Sequence, residues 1–529
     1  MKKHLFIYFT TIVIVFASKN EPVHELIRRK LEVSHFNGLH AFNEPLYCVK
    51  SLTQFYIKQE FKSVWTKATA LQLIAEIEQA YQEGLNPSDY HIDMIKNKLN
   101  DQHTTSIYKA EYDLLLSDAF LLYASHLLSG KVNPQTIHSE WYVTRREGNP
   151  IALLERAFAE GSIKASIQSA IPKLPIYQNM KLALKDLHQL KSIPLALIPT
   201  SNVPIKKGMS DKRIPEIRER LHLFKYFPNK YLANETYDEV LHKAILEFQK
   251  NNGLEATGVI GEATIAALNI PISQRINQLE VNMERWRWPP QEFGSYYIKV
   301  NIANFELDVV KDHQIIRSHK IVVGKPYRRT PVFNSKMQYL VLNPTWTVPP
   351  GILNADILPS LQKDPSYLQK KNLQVLDHNG NLINTDQIDW KSPKARSYIY
   401  RQPPGPTNAL GAVKFMFPNN FHVYLHDTPS KELFDKTERA YSSGCIRVQN
   451  PLALAEFLIN DHKNWNTEKI NTVISTRKSL TILLKEQPNI YLIYCTAWVD
   501  TKNNIQFRKD IYERDTLLLN ALKEKPPMQ

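Results

Sequence analysis

Tyr296–Pro326 reads YYIKVNIANFELDVVKDHQIIRSHKIVVGKP. Apolar and polar residues alternate along it, and β-branched and aromatic side chains crowd together, as a half-buried strand requires. The polar break at Lys311-Asp312-His313 marks a hairpin. Downstream, MQYLVLNPTWTVPPGIL (Met337–Leu353) is a further strand running into a proline-rich turn, and FPNN (Phe417–Asn420) is a turn. FHVYLHDTP (Phe421–Pro429) reads as another strand. Its period of two places Phe421, Val423 and Leu425 on one face and His422, Tyr424 and His426 on the other. AYSSGCIRVQNP (Ala440–Pro451) then brings Cys445 nineteen positions after His426. Asn450 is expected to cap a helix that starts at Pro451.

Upstream of Tyr296 the period is helical. ATALQLIAEIEQAYQEGLNP (Ala68–Pro87) and EYDLLLSDAFLLYASHLLSGKVNP (Glu111–Pro134) carry apolar residues at helical spacing, and each ends at a glycine. Residues 25–200 therefore read as a helical scaffold, in which His126 and His138 belong to no ligand-spaced cluster and are expected to be structural. IPLALIPTSNVP (Ile193–Pro204) is a linker. A small helical module follows over 205–272, then a β-rich domain over 293–478 with an insertion at 350–410. The segment 480–529 is expected to return onto the scaffold. The fold class is thus multidomain α+β, which suits 529 residues, too many for one core.

The net charge of +14 suits a polyanionic partner: nucleic acid, a membrane surface or an acidic wall polymer. The N-terminus chooses among them. Lys2 and Lys3 precede an apolar run from Leu5 to Ala17, short of the about 20 residues of a membrane span, so residues 1–18 read as a signal peptide or N-terminal anchor. Export makes nucleic acid a poor partner. It also sharpens the reading of three cysteines, since at least one thiol is left over in an oxidising compartment. Cys48 and Cys495 lie in apolar contexts where a bridge between them is open, whereas Cys445 alone has polar, turn-forming neighbours.

Two stretches carry a family resemblance. Phe248-Gln249, Gly253-Leu254, Thr257-Gly258, Gly261, Thr264 and Ala267-Leu268 follow in order and register the signature of the peptidoglycan-binding type 1 domain, a three-helix module, with Thr257 where aspartate is usual. His426, fifteen intervening residues, then Ser442-Ser443-Gly444-Cys445-Ile446-Arg447 resemble the catalytic motif of YkuD-type L,D-transpeptidases. Ser443 and Arg447 replace the usual histidine and asparagine. The large periplasmic YcbB-type branch carries those departures, and it shares the stretches NPTWTVPP (Asn343–Pro350), RQPPGPTNALGAVKFMFPN (Arg401–Asn419) and YLHDTP (Tyr424–Pro429).

The residues suit that chemistry in their own right. A thiolate attacks a carbonyl, so Cys445 needs a base, and His426 supplies one if the spacer folds back. Gly444 allows close backbone approach, and amides near Ser443 and Gly444 are candidate oxyanion donors. Asp427, through its side chain or its backbone, is a candidate to orient the imidazole. Tyr424, Arg447 and Ser442 are candidate substrate contacts, Arg447 as a carboxylate fork.

The resemblance implies acyl transfer from a tetrapeptide stem, with release of D-alanine, to the side-chain amine of a second stem, forming a 3→3 cross-link. It implies no metal and no cofactor, and the insertion becomes a capping subdomain. Expected partners are peptidoglycan stem peptides and glycan, with cell-wall synthases beside them, in the periplasm or cell envelope. Oligomeric state is open. So are L,D-carboxypeptidation and D-amino-acid exchange through the same acyl-enzyme, and an inactive wall-binding scaffold. A papain-like amidase also uses Cys and His, but in the opposite chain order.

Overall fold

The computed structural model describes residues 21–101, 105–143, 145–228 and 233–527, so the expected signal at 1–18 lies outside it. The chain divides into two compact units. One holds residues up to Lys131, Glu147–Pro172 and Leu522 onward; the other holds Val132–Arg146 and Lys173–Ala521. Among the described residues no helix is long and apolar enough to cross a membrane.

The first unit is helical. Its axis is Ser106–Ser129, buried at nearly every position from Asp113 to Leu128 because helices surround it on all sides. Polar residues on this helix are tied to neighbouring elements. Asp113 accepts from Tyr56 Oη at 2.5 Å and from the amides of Val64 and Trp65 at 3.0 Å. Asp118 accepts from the Cys48 amide at 2.7 Å. His126 is fully buried against the Tyr90 hydroxyl at 3.1 Å. Within this unit the C-terminal segment is tied down by Lys131, which ion-pairs with Asp89 and donates to the carbonyls of Leu522 and Glu524, each at 2.7 Å.

Two segments pack across the expected boundaries. Helix Pro175–Leu190, expected in the scaffold, belongs to the second unit, where its Tyr177 hydroxyl meets Arg287 of helix Ile272–Arg287 at 3.0 Å. His138 also lies there, buried and stacked on Trp141. The C-terminal return reaches the scaffold unit only from Leu522. Before that point, Asn489–Ile493 is an interior strand of the second unit, paired on both edges, with Ile490 and Leu492 fully buried.

In the second unit, helices Ile214–Leu223, Glu239–Asn251 and Glu262–Leu268 enclose a core of their own, from Ile198 to Leu268. The signature residues of this module have a physical explanation. Gln249 holds the following loop by donating to the Val259 carbonyl at 2.8 Å and accepting from the Gly258 amide at 2.9 Å. Gly258 is left-handed at φ +70, and a Cβ there would meet the His242 ring at 2.2 Å.

The β domain is one curled sheet. Its strands are β1 (Tyr296–Asn301), β2 (Glu306–Lys311), β3 (Gln314–Gly324), β4 (Phe333–Lys336), β5 (Tyr339–Leu342), β6 (Val413–Met416), β7 (Leu425–His426), β8 (Ala440–Ser442), β9 (Ile446–Val448), β10 (Leu480–Leu483) and β11 (Asn489–Ile493). Their order is β10-β5-β6-β7-β9-β3-β2-β1-β11-β4, with β8 paired beside β3. The hairpin expected at Lys311–His313 joins β2 to β3.

Between β5 and β6 the insertion has its own small sheet, in which Ile399–Gln402 lies between Trp346–Thr347 and Gln374–Leu376. Its core runs from Val348 to Tyr400.

The strand expected over 421–429 shrinks to Leu425–His426. His422 is left-handed at φ 55 and exposed, which breaks the alternation. Helix Pro451–Ile459 begins as expected, but Asn450 adopts φ 49 and makes no side-chain cap.

Candidate active site

Three neighbouring strands build the site. β7 runs parallel to β9 with His426 opposite Arg447, and antiparallel to β6 with His426 opposite Lys414. Residues directly opposite one another project from the same face, so Lys414, His426 and Arg447 form one row. One step before the paired residues of β7 and β9, the Ile446 amide donates to the Tyr424 carbonyl at 3.1 Å, which brings Cys445 beside Tyr424. Cys445 and Arg447 are two residues apart on one strand and share that face. The spacer of fifteen residues therefore folds back, and Cys445 and His426 lie on adjacent strand ends.

His426 is buried, and its Nδ1 lies 2.5 Å from the Asp427 carbonyl. A carbonyl only accepts, so Nδ1 carries the proton and Nε2 keeps its lone pair. The orienting group is thus the backbone of Asp427. Its carboxylate is committed elsewhere, to the Ala412 amide at 2.8 Å and to Lys431. Burial, reinforced by the charges of Arg447, Lys414 and Lys431, pushes the imidazole down to about 3. Burial pushes the Cys445 thiol up, opposed by hydrogen bonds from Tyr424 and by the charges of Arg447 and Lys414. The resting pair is a neutral thiol and a neutral imidazole. The Sγ rests 3.6 Å from the His422 carbonyl.

The turn before Cys445 is held by its own residues. Gly444 sits at φ +116, where a side chain would be strained. Ser442, expected to touch substrate, is 2% exposed and faces inward: it donates to the Cys445 carbonyl at 2.5 Å and accepts from the Gly444 amide at 3.1 Å. The Gly444 amide is therefore occupied. Among the described residues, the amides of Ser443 and Cys445 donate to no acceptor, which leaves them as the candidate oxyanion pair.

Sequence reasoning missed three supports. Thr330 donates to the Gly444 carbonyl at 2.9 Å and accepts from the Gly324 amide at 2.9 Å. Tyr512 accepts from the Thr330 amide at 3.2 Å and donates to the Gly324 carbonyl at 2.7 Å. Arg328 donates to Ser443 Oγ at 2.9 Å while forking onto Asp356 of the insertion at 2.5 and 2.9 Å. Only the run of basic residues at Lys325, Arg328 and Arg329 hinted at any of these. The three cysteines are all free thiols, so the Cys48–Cys495 bridge is not formed. Among the described residues no His, Cys, Asp and Glu cluster has the makings of a metal site.

Comparison with known proteins places families on these parts. Residues 295–465 match the L,D-transpeptidase catalytic domain of the YkuD family, 210–268 the family described as "Putative peptidoglycan binding domain", and 50–184 a scaffold domain. A Haemophilus influenzae protein named "Putative L,D-transpeptidase" is 32% identical over 311 residues, which are 56% of this chain and 63% of that relative. The chain thus spans somewhat under two thirds of the relative's length. Among solved structures, an L,D-transpeptidase from Xylanimonas cellulosilytica is 16% identical with a TM-score of 0.19, covering 56% of this chain and all of its own. One from Stackebrandtia nassauensis is 12% identical with a TM-score of 0.21, covering 56% of this chain and 97% of its own.

Proposed function

We propose that this chain, which carries an L,D-transpeptidase catalytic domain and a type 1 peptidoglycan-binding domain, cross-links peptidoglycan stems through a Cys445 thioester. The observation that carries this reading is the pairing of β7 with β9, which sets Cys445 beside a buried His426 whose Nε2 is free to take a proton. As Cys445 Sγ attacks the L-centre carbonyl of the penultimate diamino acid, its proton passes to His426. The oxyanion is received by the amides of Ser443 and Cys445, each such donor being worth about 3–4 kcal/mol in barrier. The imidazolium returns the proton to the departing D-alanine amine. The side-chain amine of a second stem then attacks the thioester, His426 takes its proton, and the thiol is restored. The product is a 3→3 cross-link.

Tyr424 lines the acyl side of the pocket, and the insertion over 350–410 caps it through Arg328 and Asp356. Such a device belongs to the YcbB-type branch, with which this chain also shares its order of parts. The place of action is the cell envelope, where the substrate lies.

The test is incubation of wild-type protein and Cys445→Ala with disaccharide-tetrapeptides, read by mass spectrometry of products and of intact protein. A dimer lacking one D-alanine, formed only by wild type, supports the reading. Tripeptide alone would replace it with L,D-carboxypeptidation, and unchanged substrate with wall binding retained would replace it with a binding scaffold.

A further inference from the structure

The row Lys414–His426–Arg447 places two cations on either side of the catalytic imidazole without an acid between them. β6 alternates as a half-buried strand does: Val413 and Phe415 are fully buried in the core, and Lys414 turns to the site face. Its Nζ stands 5.6 Å from the centre of the Tyr424 ring. No carboxylate among the described residues lies within ion-pair distance of Lys414 or Arg447, and the nearest acid felt by Arg447 is Glu432, at longer range. Asp427, the acid closest in sequence, is spent on Ala412 and Lys431. Arg447 Nε is buried with no hydrogen-bond partner. Burial holds both cations below their ordinary proton affinity, so each charge is maintained at a cost. Neighbouring strands are about 4.8 Å apart, so the outer two of the row are separated by roughly 10 Å, a gap that long side chains close around a small anion.

We propose that Lys414 and Arg447 together form a carboxylate subsite that reads the C-terminal carboxylate of the acyl donor, the group carried by the leaving residue. This rests on the acyl-transfer reading above. The geometry ties the subsite to the leaving side. That carboxylate lies one residue beyond the scissile carbonyl, and the two cations flank the imidazole that must protonate the departing amine. A donor with one more residue would carry its charge too far out, so the subsite selects tetrapeptide stems by their end. Lys414 is then a specificity determinant, and its charge acts on the donor rather than on the fold.

The experiment compares kcat/KM for two donors, a disaccharide-tetrapeptide with a free C-terminal carboxylate and its C-terminal amide, in wild type, Lys414→Met and Lys414→Arg. A carboxylate held by charge-assisted hydrogen bonds is expected to favour the acid by roughly 30-fold in wild type. The preference is expected to fall below about threefold in Lys414→Met and to persist in Lys414→Arg. An undiminished preference in a folded Lys414→Met overturns the proposal.

A second measurement does not depend on acyl transfer. Alkylation of Cys445 by iodoacetate is compared with alkylation by iodoacetamide, so that any change in thiolate population cancels in the ratio. Loss of the iodoacetate advantage in Lys414→Met supports the subsite, and an unchanged ratio overturns it. If wild type releases nothing from either donor, the acyl-transfer reading fails, while the alkylation ratio still decides whether Lys414 presents its charge to an anion at the thiol.

Discussion

Two charged constellations in the second unit are both withdrawn from water, and they are finished differently. In helix Ile272–Arg287, Glu284 and Arg287 are fully buried and meet at 2.6 Å. Further hydrogen bonds surround the pair: Glu284 accepts from Trp288 Nε1 at 3.1 Å and the Val132 amide at 2.8 Å, and Arg287 donates to Tyr177 at 3.0 Å. In the row Lys414–His426–Arg447 the cations form no ion pair among the described residues, and one guanidinium nitrogen has no hydrogen-bond partner. A charge that serves the fold is paired, because an unpaired buried charge costs several kcal/mol. A charge left unpaired in a cleft is stability withheld for a ligand.

Four tests can break that contrast. The largest effect is expected from His426→Gln, which removes the proton acceptor: thioester formation, followed by intact mass, should slow by about 10³- to 10⁴-fold with the fold unchanged. Full activity would place the base elsewhere.

Next comes Glu284→Gln, which strands Arg287. Denaturant unfolding should show a loss of about 3–5 kcal/mol. Arg447→Met, the counterpart in the site, should change stability by less than about 1 kcal/mol while lowering turnover about tenfold or more. Equal stability losses in the two variants would erase the distinction.

The third concerns pH. His426 and His138 are both held down to about 3 in the fold, against 6.5 when exposed. Below pH 6.5 the unfolded chain therefore takes up protons that the folded chain refuses. Stability is full above 6.5 and is lost as pH falls toward 3. Over the same range kcat/KM should stay level, because the neutral thiol and neutral imidazole persist throughout, and show no inflection near 6.5. Such an inflection would mean that the resting imidazole is solvated.

The smallest effect belongs to Thr330→Ala, which frees the Gly444 carbonyl. A loss of about 1–2 kcal/mol in transition-state stabilisation, roughly tenfold in kcat, is expected, with Thr330→Ser restoring it. No change would leave Gly444 held by Ser442 alone.

Much of this was legible in the chain itself. The change of period at Tyr296 located the β domain, because alternation follows from backbone geometry alone. Cys445 stood out by its polar, glycine-bearing turn, and His426 by spacing. The misreadings have local causes. Period two carried the strand through Phe421–Pro429, but one left-handed residue at His422 ended it, and nothing in the residue type forces that conformation. Ser442 and Ser443 are chemically alike, and only the turn decides that one faces inward to hold the loop while the other meets Arg328.

The sequence by itself determined the kinds of elements, the polar turn that carries Cys445 and the three-helix module, all of which depend on residue type and short-range spacing. The tertiary structure alone decided which strand lies beside which. That placement put Lys414 opposite His426 and brought Thr330 and Tyr512 under the Cys445 turn, and it inserted β11 between β1 and β4. The physical reason is that strand order is set by which buried faces fit together across the whole domain, and pairing between residues far apart in the chain leaves no periodic trace in either strand.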